Sequence, residues 1–183
     1  MSLARIRIAA RLLAVAAMAA LTAGCFQPMY AEHADGTPGL HDKLLGVELP
    51  PVDKPNASPE ARIGVEVRNA LAFKLYGTAT GTTPTHKLVL RFVTSRSSLL
   101  VSPTTGLPTS ENFGIDAQYN LVEVGTNKSV MTGTTFSRVT YDMPGSYQRF
   151  ARTRALRDAE DRAAQEIADN IQTRLASFFY AGT

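Results

Sequence analysis

Side chains able to carry out chemistry are sparse in this sequence and form no recognisable catalytic pattern. The one cysteine, Cys25, excludes an intramolecular disulfide and a multi-cysteine metal site. The histidines are His33, His41 and His86. The first two lie near acidic residues but lack the spacing that converges on a metal ion. Asp158, Glu160 and Asp161 fall among arginines on a predicted helix, where we expect them to be solvated. With no hydrolase motif present, the sequence predicts a protein that is not an enzyme and holds neither metal nor cofactor.

Cationic side chains on predicted strands offer a second kind of chemistry, the capture of phosphate groups. Lys87 and Arg91 have the same strand parity, so both can project from the solvent face of a sheet, and Arg138 lies on a later predicted strand. An arginine guanidinium suits bidentate contact with phosphate. These three residues are candidate contacts for a phosphorylated amphiphile. The alternative is that they protect strand edges and keep the surface soluble.

Cys25 ends a segment with the layout of a secretory signal peptide. Three arginines precede the apolar run Leu12–Leu21, which is too short for a helix that crosses a bilayer, since that takes roughly 20 residues. The sequence from Leu21 to Cys25 resembles a bacterial lipobox, a signal in which the cysteine is acylated and the chain is cleaved before it. We therefore expect residues 1–24 to be removed and Cys25 to anchor the mature chain to a membrane. The alternative is an ordinary signal peptide with a chance cysteine.

This cleavage also changes the charge balance. The full chain carries 19 basic and 16 acidic residues, a formal charge of +3. Three arginines and no acidic residue lie within residues 1–24, so 16 residues of each sign remain and the formal charge of the mature chain is zero. A neutral mature chain argues against nucleic acid as a partner.

Hydrophobic periodicity predicts the elements that position these residues. Residues 25–43 are polar and are expected to form a flexible tether, followed by a single domain over residues 44–183 that begins with a short strand at Leu44–Leu49. The sequence Ser58-Pro59-Glu60 is typical of a helix N-terminus. Apolar residues then recur at helical spacing, and Gly77 is the expected end of this helix.

Three strands and a long helix are predicted for the rest of the chain. The strands lie at Leu88–Val101, at Ile115–Leu121 with a bulge after Leu121, and at Ser129–Tyr141. A helix without Pro or Gly follows from Tyr147 to Phe179. The order β-α-β-β-β-α predicts an α+β two-layer sandwich, in which two helices pack on a mainly antiparallel four-stranded sheet.

Two segments, together with this order, link the chain to a known family. Cys25-Phe26-Gln27-Pro28-Met29-Tyr30 is similar to the Cys-Gly-Phe-x-Pro-Leu-Tyr start of some members, with the glycine missing. The helix from Arg154 to Ile171 is similar to an alanine-rich C-terminal helix with an Asp-Ala step. The chain thus resembles the LptE family of lipopolysaccharide-assembly lipoproteins.

This resemblance implies a non-enzymatic role as a plug inside the LptD outer-membrane β-barrel, where the protein supports barrel assembly and helps pass lipopolysaccharide to the outer leaflet. It implies a periplasm-facing protein anchored to the outer membrane at Cys25, because Phe26 rather than Asp follows the cysteine. Lys87, Arg91 and Arg138 then become candidate contacts for lipopolysaccharide. The alternatives are an auxiliary lipoprotein of an envelope lipid-transport ABC system and a periplasmic lipid-linked hydrolase.

The loop between the first two long strands is the candidate contact with the barrel interior. It is exposed by composition and apolar only at Leu107. Its candidate contact residues are Pro103, Thr104, Thr105, Gly106, Leu107 and Pro108.

Overall fold

The computed structural model describes residues 38–77, 82–143 and 148–181. The predicted signal peptide, Cys25 and the tether through residue 37 lie outside the described residues. Seven elements follow one another in the folded unit that begins at Leu40. They are α1 (Leu40–Leu45), β1 (Val47–Glu48), α2 (Pro59–Tyr76), β2 (His86–Val101), β3 (Pro108–Glu123), β4 (Ser129–Asp142) and α3 (Arg149–Ala181).

The four strands form one sheet in the order β1-β2-β3-β4. The strand β1 pairs with β2 in parallel, and the other two pairs are antiparallel. The α+β sandwich with a mainly antiparallel sheet is therefore confirmed. The predicted bulge is also confirmed, because the register of β3 against β4 shifts between Leu121 and Val122.

The prediction for the start of the domain is wrong in its details. A strand is predicted over Leu44–Leu49, but the helix α1 covers Leu40–Leu45 and β1 has only two residues. Leu40 and Leu44 are both buried, since a helical turn places residues four apart on one face. The strand stops early because Pro50 and Pro51 have no backbone N–H to donate to a ladder. Residues 40–43 therefore belong to the fold, not to the tether.

The predicted limits of α2 are confirmed in atomic detail. The Ser58 hydroxyl accepts a hydrogen bond from the backbone N–H of Ala61 at 3.0 Å, which satisfies one of the free donors of the first turn. Pro59 occupies that turn. At the other end Gly77 adopts a φ of +59° and donates to the Phe73 carbonyl.

The core lies between the helices and one face of the sheet. Alternate residues of each long strand point into it, and both α2 and α3 contribute a stripe of buried side chains. The most deeply buried large residues include Leu71, Leu88, Phe113, Ile115, Leu121, Ile167, Ile171 and Leu175. This packing fixes which strand residues face the helices and which lie on the opposite face, where the candidate cations are found.

Candidate functional site

The face of the sheet that points away from the helices carries the predicted cations, and we call it the outer face. In β2 the buried residues Leu88, Leu90 and Phe92 alternate with Lys87 and Arg91, which are exposed. Strand register extends this face across the sheet, because opposed residues on paired strands share a face. Gln118 and Thr134 therefore lie beside Arg91 on the outer face.

Lys87 and Arg91 are available to a ligand. Among the described residues, neither side chain forms an ion pair or a hydrogen bond. Arg91 borders two shallow depressions of about 470 and 390 Å³, and both are also lined by Gln118 and Thr134. The shared parity of Lys87 and Arg91 is as predicted. The unpaired guanidinium of Arg91 lies among hydrogen-bonding side chains and the exposed apolar side chains of Val93 and Phe136.

Arg138 lies on the same face, but unlike Lys87 and Arg91 its side chain is already paired. It forms a bidentate pair with Asp116, with distances of 2.7 and 2.8 Å from Nη2 to the two carboxylate oxygens. Its Nη1 donates to the carbonyls of Ser137 and Ile115, and its guanidinium lies 5.6 Å from the ring centre of Phe136. Asp116 therefore neutralises Arg138, and this cation is less available to an incoming phosphate than Lys87 or Arg91.

The geometry of Arg138 depends on a glycine that sequence reasoning missed. Gly114 is its partner on β3, and a Cβ placed there would lie 3.0 Å from Cδ and Nε of Arg138. The absence of a side chain lets the arginine lie across the sheet to Asp116. The sequence shows only that Asp116 falls on the polar face of its strand. It does not show the pairing, because Arg138 is 22 residues away in the chain.

The three cations cannot bind one phosphate together. Arg91 lies four residues from Lys87 along β2, which is roughly 13 Å in a strand. Arg138 is two strands away from β2, or roughly 10 Å across the sheet, and its register partner through Gly114 is Ser95. The outer face can therefore contact separate groups of one extended anion.

The predicted contact loop is a tight turn at the end of the β2–β3 hairpin. Gly106 has a φ of +66°, and its N–H donates to the Ser102 carbonyl at 2.8 Å. The Ser102 N–H donates in turn to the Leu107 carbonyl at 2.9 Å. The candidate residues 103–107 lie in this turn, whereas Pro108 is the first residue of β3.

The loop is more apolar than the sequence indicates, because β2 supplies three further apolar residues beside it. Two register shifts, at Ser98/Leu100 and Leu100/Val101, break the alternation of faces. Every residue of β2 from Ser95 to Val101 is exposed, so both faces of this end of the strand are uncovered. The exposed fractions are 51% for Leu99, 63% for Leu100, 56% for Val101 and 50% for Leu107. We call these four residues the apolar tip.

One carboxylate of α3 contradicts the expectation of a solvated face. Glu160 is only 4% exposed, and its Oε2 accepts a hydrogen bond from Nη2 of Arg62 on α2. Arg62 also lies 3.4 Å from Asp161. Burial raises the pKa of Glu160, and the positive charge of Arg62 opposes that shift. The pair joins the two helices and leaves Glu160 without free access to solvent.

No metal site is found within residues 38–77, 82–143 and 148–181, where no three His, Cys, Asp or Glu side chains are grouped to hold an ion. His86 packs edge-on against Phe179 with ring centres 5.1 Å apart, and burial lowers its pKa. In the same described ranges, none of the helices combines the length and apolar character that a membrane crossing requires.

Comparison with known proteins gives a family match and similar folds. A family model described as "LptE: Lipopolysaccharide-assembly" matches residues 45–175. A Caulobacter crescentus protein described as a lipoprotein shares 23% identity and a TM-score of 0.59, over 79% of this chain and 97% of that one. Rare lipoprotein B from Shewanella oneidensis shares 18% identity and a TM-score of 0.50, over 72% and 93%. No curated protein matches the chain. The structural matches establish the shared fold.

Proposed function

The chain belongs to the LptE family of lipopolysaccharide-assembly proteins, and from this membership we propose that it is a non-enzymatic outer-membrane lipoprotein. In this proposal it plugs an LptD-type β-barrel, supports assembly of that barrel and assists lipopolysaccharide transport to the outer leaflet. The observation that carries the proposal is the family match, which extends from the end of α1 into the last turns of α3.

Two features of the domain support a plug inside a barrel. The strands β2 and β3 each have 16 residues, which corresponds to about 50 Å and exceeds the roughly 30 Å of a bilayer's hydrocarbon core. Their hairpin ends in the apolar tip, an exposed cluster of the kind that marks a contact with another molecule. We propose that the apolar tip and residues 103–108 contact the barrel interior.

We propose that Cys25 carries the lipid and that the folded domain starts near residue 40. A chain of 15 residues from Cys25 to Gly39 reaches at most about 50 Å when extended. Such a tether allows the domain to occupy a barrel while the acyl chains stay in the periplasmic leaflet of the outer membrane.

Copurification tests the proposed partner. The full chain, tagged at its C-terminus and isolated from detergent-solubilised outer membranes, should bring down a large β-barrel protein in near-equal amount, identified by mass spectrometry. An untagged strain processed in parallel is the control. Recovery of ABC-transporter or substrate-binding subunits in place of a barrel would contradict the proposal and support the transport alternative.

Charge reversal tests direct capture of lipopolysaccharide by the outer face. The double variant Lys87→Glu/Arg91→Glu should weaken binding of purified lipopolysaccharide to the full chain by about tenfold or more, because two unpaired cations become anions beside an anionic ligand. Binding is measured by fluorescence titration. Arg138→Gln should have a smaller effect, since Asp116 already neutralises that arginine.

The matched control for this variant is Arg154→Glu/Arg174→Glu, which changes the net charge equally at two exposed positions of α3 on the other side of the sheet. Equal weakening by both double variants would indicate a response to net charge alone. Unchanged binding in Lys87→Glu/Arg91→Glu would remove the outer face as the binding surface and leave the plug role untouched.

A further inference from the structure

A second cationic site lies on the helix side of the sheet, where the first half of α2 faces the N-terminal part of α3. Here a groove of about 510 Å³ is lined by three guanidinium groups, one carboxylate and apolar side chains. Its principal residues are Arg62, Val65, Arg96, Leu156, Arg157 and Glu160. We call it the arginine groove. Arg96 reaches it because even-numbered residues of β2 face the helices, unlike Lys87 and Arg91.

The charges of the arginine groove do not balance. Arg62 pairs with Glu160 and also lies 3.4 Å from Asp161, so its charge is already compensated. Arg96 and Arg157 are exposed and form no ion pair or hydrogen bond within the part of the chain that the structure describes. Both arginines oppose, from a distance, the burial-driven rise in the pKa of Glu160, and Arg96 does the same for Tyr141. Two guanidinium groups, those of Arg96 and Arg157, therefore remain unpaired beside an open cavity.

We propose that the arginine groove binds a phosphate monoester carried by an amphiphile, with Arg96 and Arg157 as the phosphate ligands. A phosphate monoester carries close to two negative charges at neutral pH, so it can pair with both unpaired arginines. A carboxylate carries one and leaves one arginine unpaired. Val65 and Leu156 supply apolar walls for the carbon chain next to the phosphate.

This site lies on the opposite side of the sheet from Lys87, Arg91 and Arg138 and does not depend on the proposed barrel partner. It goes beyond the proposed function, and the two can fail separately. Loss of barrel copurification leaves the binding measurements on the isolated chain unaffected, and absence of phosphate binding leaves the plug role intact.

Calorimetric titration of the full chain in nonionic detergent tests the proposal with three probes: hexyl phosphate, inorganic phosphate and hexanoate. We expect hexyl phosphate to bind more tightly than either of the others, because it alone combines the dianion with a carbon chain. The variant Arg96→Gln/Arg157→Gln should weaken hexyl phosphate binding on the order of 10- to 100-fold, since two charge-assisted contacts are lost. Glutamine is neutral and keeps hydrogen-bonding capacity, and thermal unfolding checks that the variant folds.

The control variant is Arg149→Gln/Arg174→Gln, which removes the same charge from the same helix at exposed positions outside the groove lining. We expect its affinity for hexyl phosphate to stay within about twofold of the affinity of the unmodified chain, because exposed charges farther away than a Debye length are largely screened. Equal losses in the two double variants would overturn the proposal, as would equal binding of hexyl phosphate and hexanoate. Equal binding of inorganic phosphate would overturn the assignment to an amphiphile.

Discussion

A chain in which Leu99, Leu100, Val101 and Leu107 are all replaced by serine should fold normally and lose about 100-fold in affinity for its barrel partner. The four side chains are half or more exposed, so their removal creates no cavity in the core. If the apolar tip is buried in the barrel, each replacement removes apolar surface from the interface. A loss of about 0.7 kcal/mol at each of the four positions corresponds to about 100-fold in affinity. Copurification with quantitative mass spectrometry measures the loss of the barrel.

The control for the apolar tip replaces an equal number of exposed apolar residues elsewhere. These are Phe73, Val124, Phe150 and Tyr180, each changed to serine. Retention of the barrel in this control and its loss in the tip variant would assign the contact to the hairpin end. Retention in both, or in a variant lacking residues 103–108, would contradict the assignment of the hairpin as the barrel contact.

Replacement of Arg62 by alanine should lower the free energy of unfolding by about 2 kcal/mol at pH 7. Removing one partner of a fully buried ion pair costs about 3–5 kcal/mol, because the remaining charge is buried without compensation. The Glu160 side chain is 5% exposed but the Arg62 side chain is 36% exposed, so water screens part of the interaction and the expected loss is smaller. Urea denaturation of the full chain measures it.

The stability deficit of Arg62→Ala should depend on pH. Burial raises the pKa of Glu160 in the folded state, and removal of the arginine raises it further. A carboxyl with a raised folded pKa contributes stability below its unfolded pKa of about 4.3, and this contribution is lost as pH rises through the folded pKa. The deficit should therefore be larger at pH 7 than at pH 4.

A double replacement separates charge from packing. The variant Arg62→Met/Glu160→Leu removes both charges and keeps most of the volume, so it should recover most of the stability that Arg62→Ala loses. A deficit that is the same at pH 4 and pH 7 would instead indicate that Arg62 stabilises the fold through packing of its hydrocarbon stem, and the ion pair would then contribute little.

Local periodicity was sufficient to predict most of the architecture. Alternation in β2, β3 and β4 and the apolar stripe of α3 define which residues face a core, and the Ser58 cap and Gly77 mark the ends of α2. The helix α1 was missed because six residues are too few for a helical period to be distinguished from a short buried strand. The family resemblance noted from the sequence agrees with the family match.

The candidate sites were only partly accessible from the sequence. Parity correctly places Lys87 and Arg91 on one exposed face. It does not reveal that Asp116 neutralises Arg138, that both faces of β2 are uncovered at Leu99 to Val101, or that Glu160 is buried against Arg62. Each of these depends on register or packing between segments distant in the chain. Periodicity assigns a residue to a face, whereas only the tertiary structure determines which residue lies opposite it, and that neighbour decides whether a charge is paired, buried or free to bind.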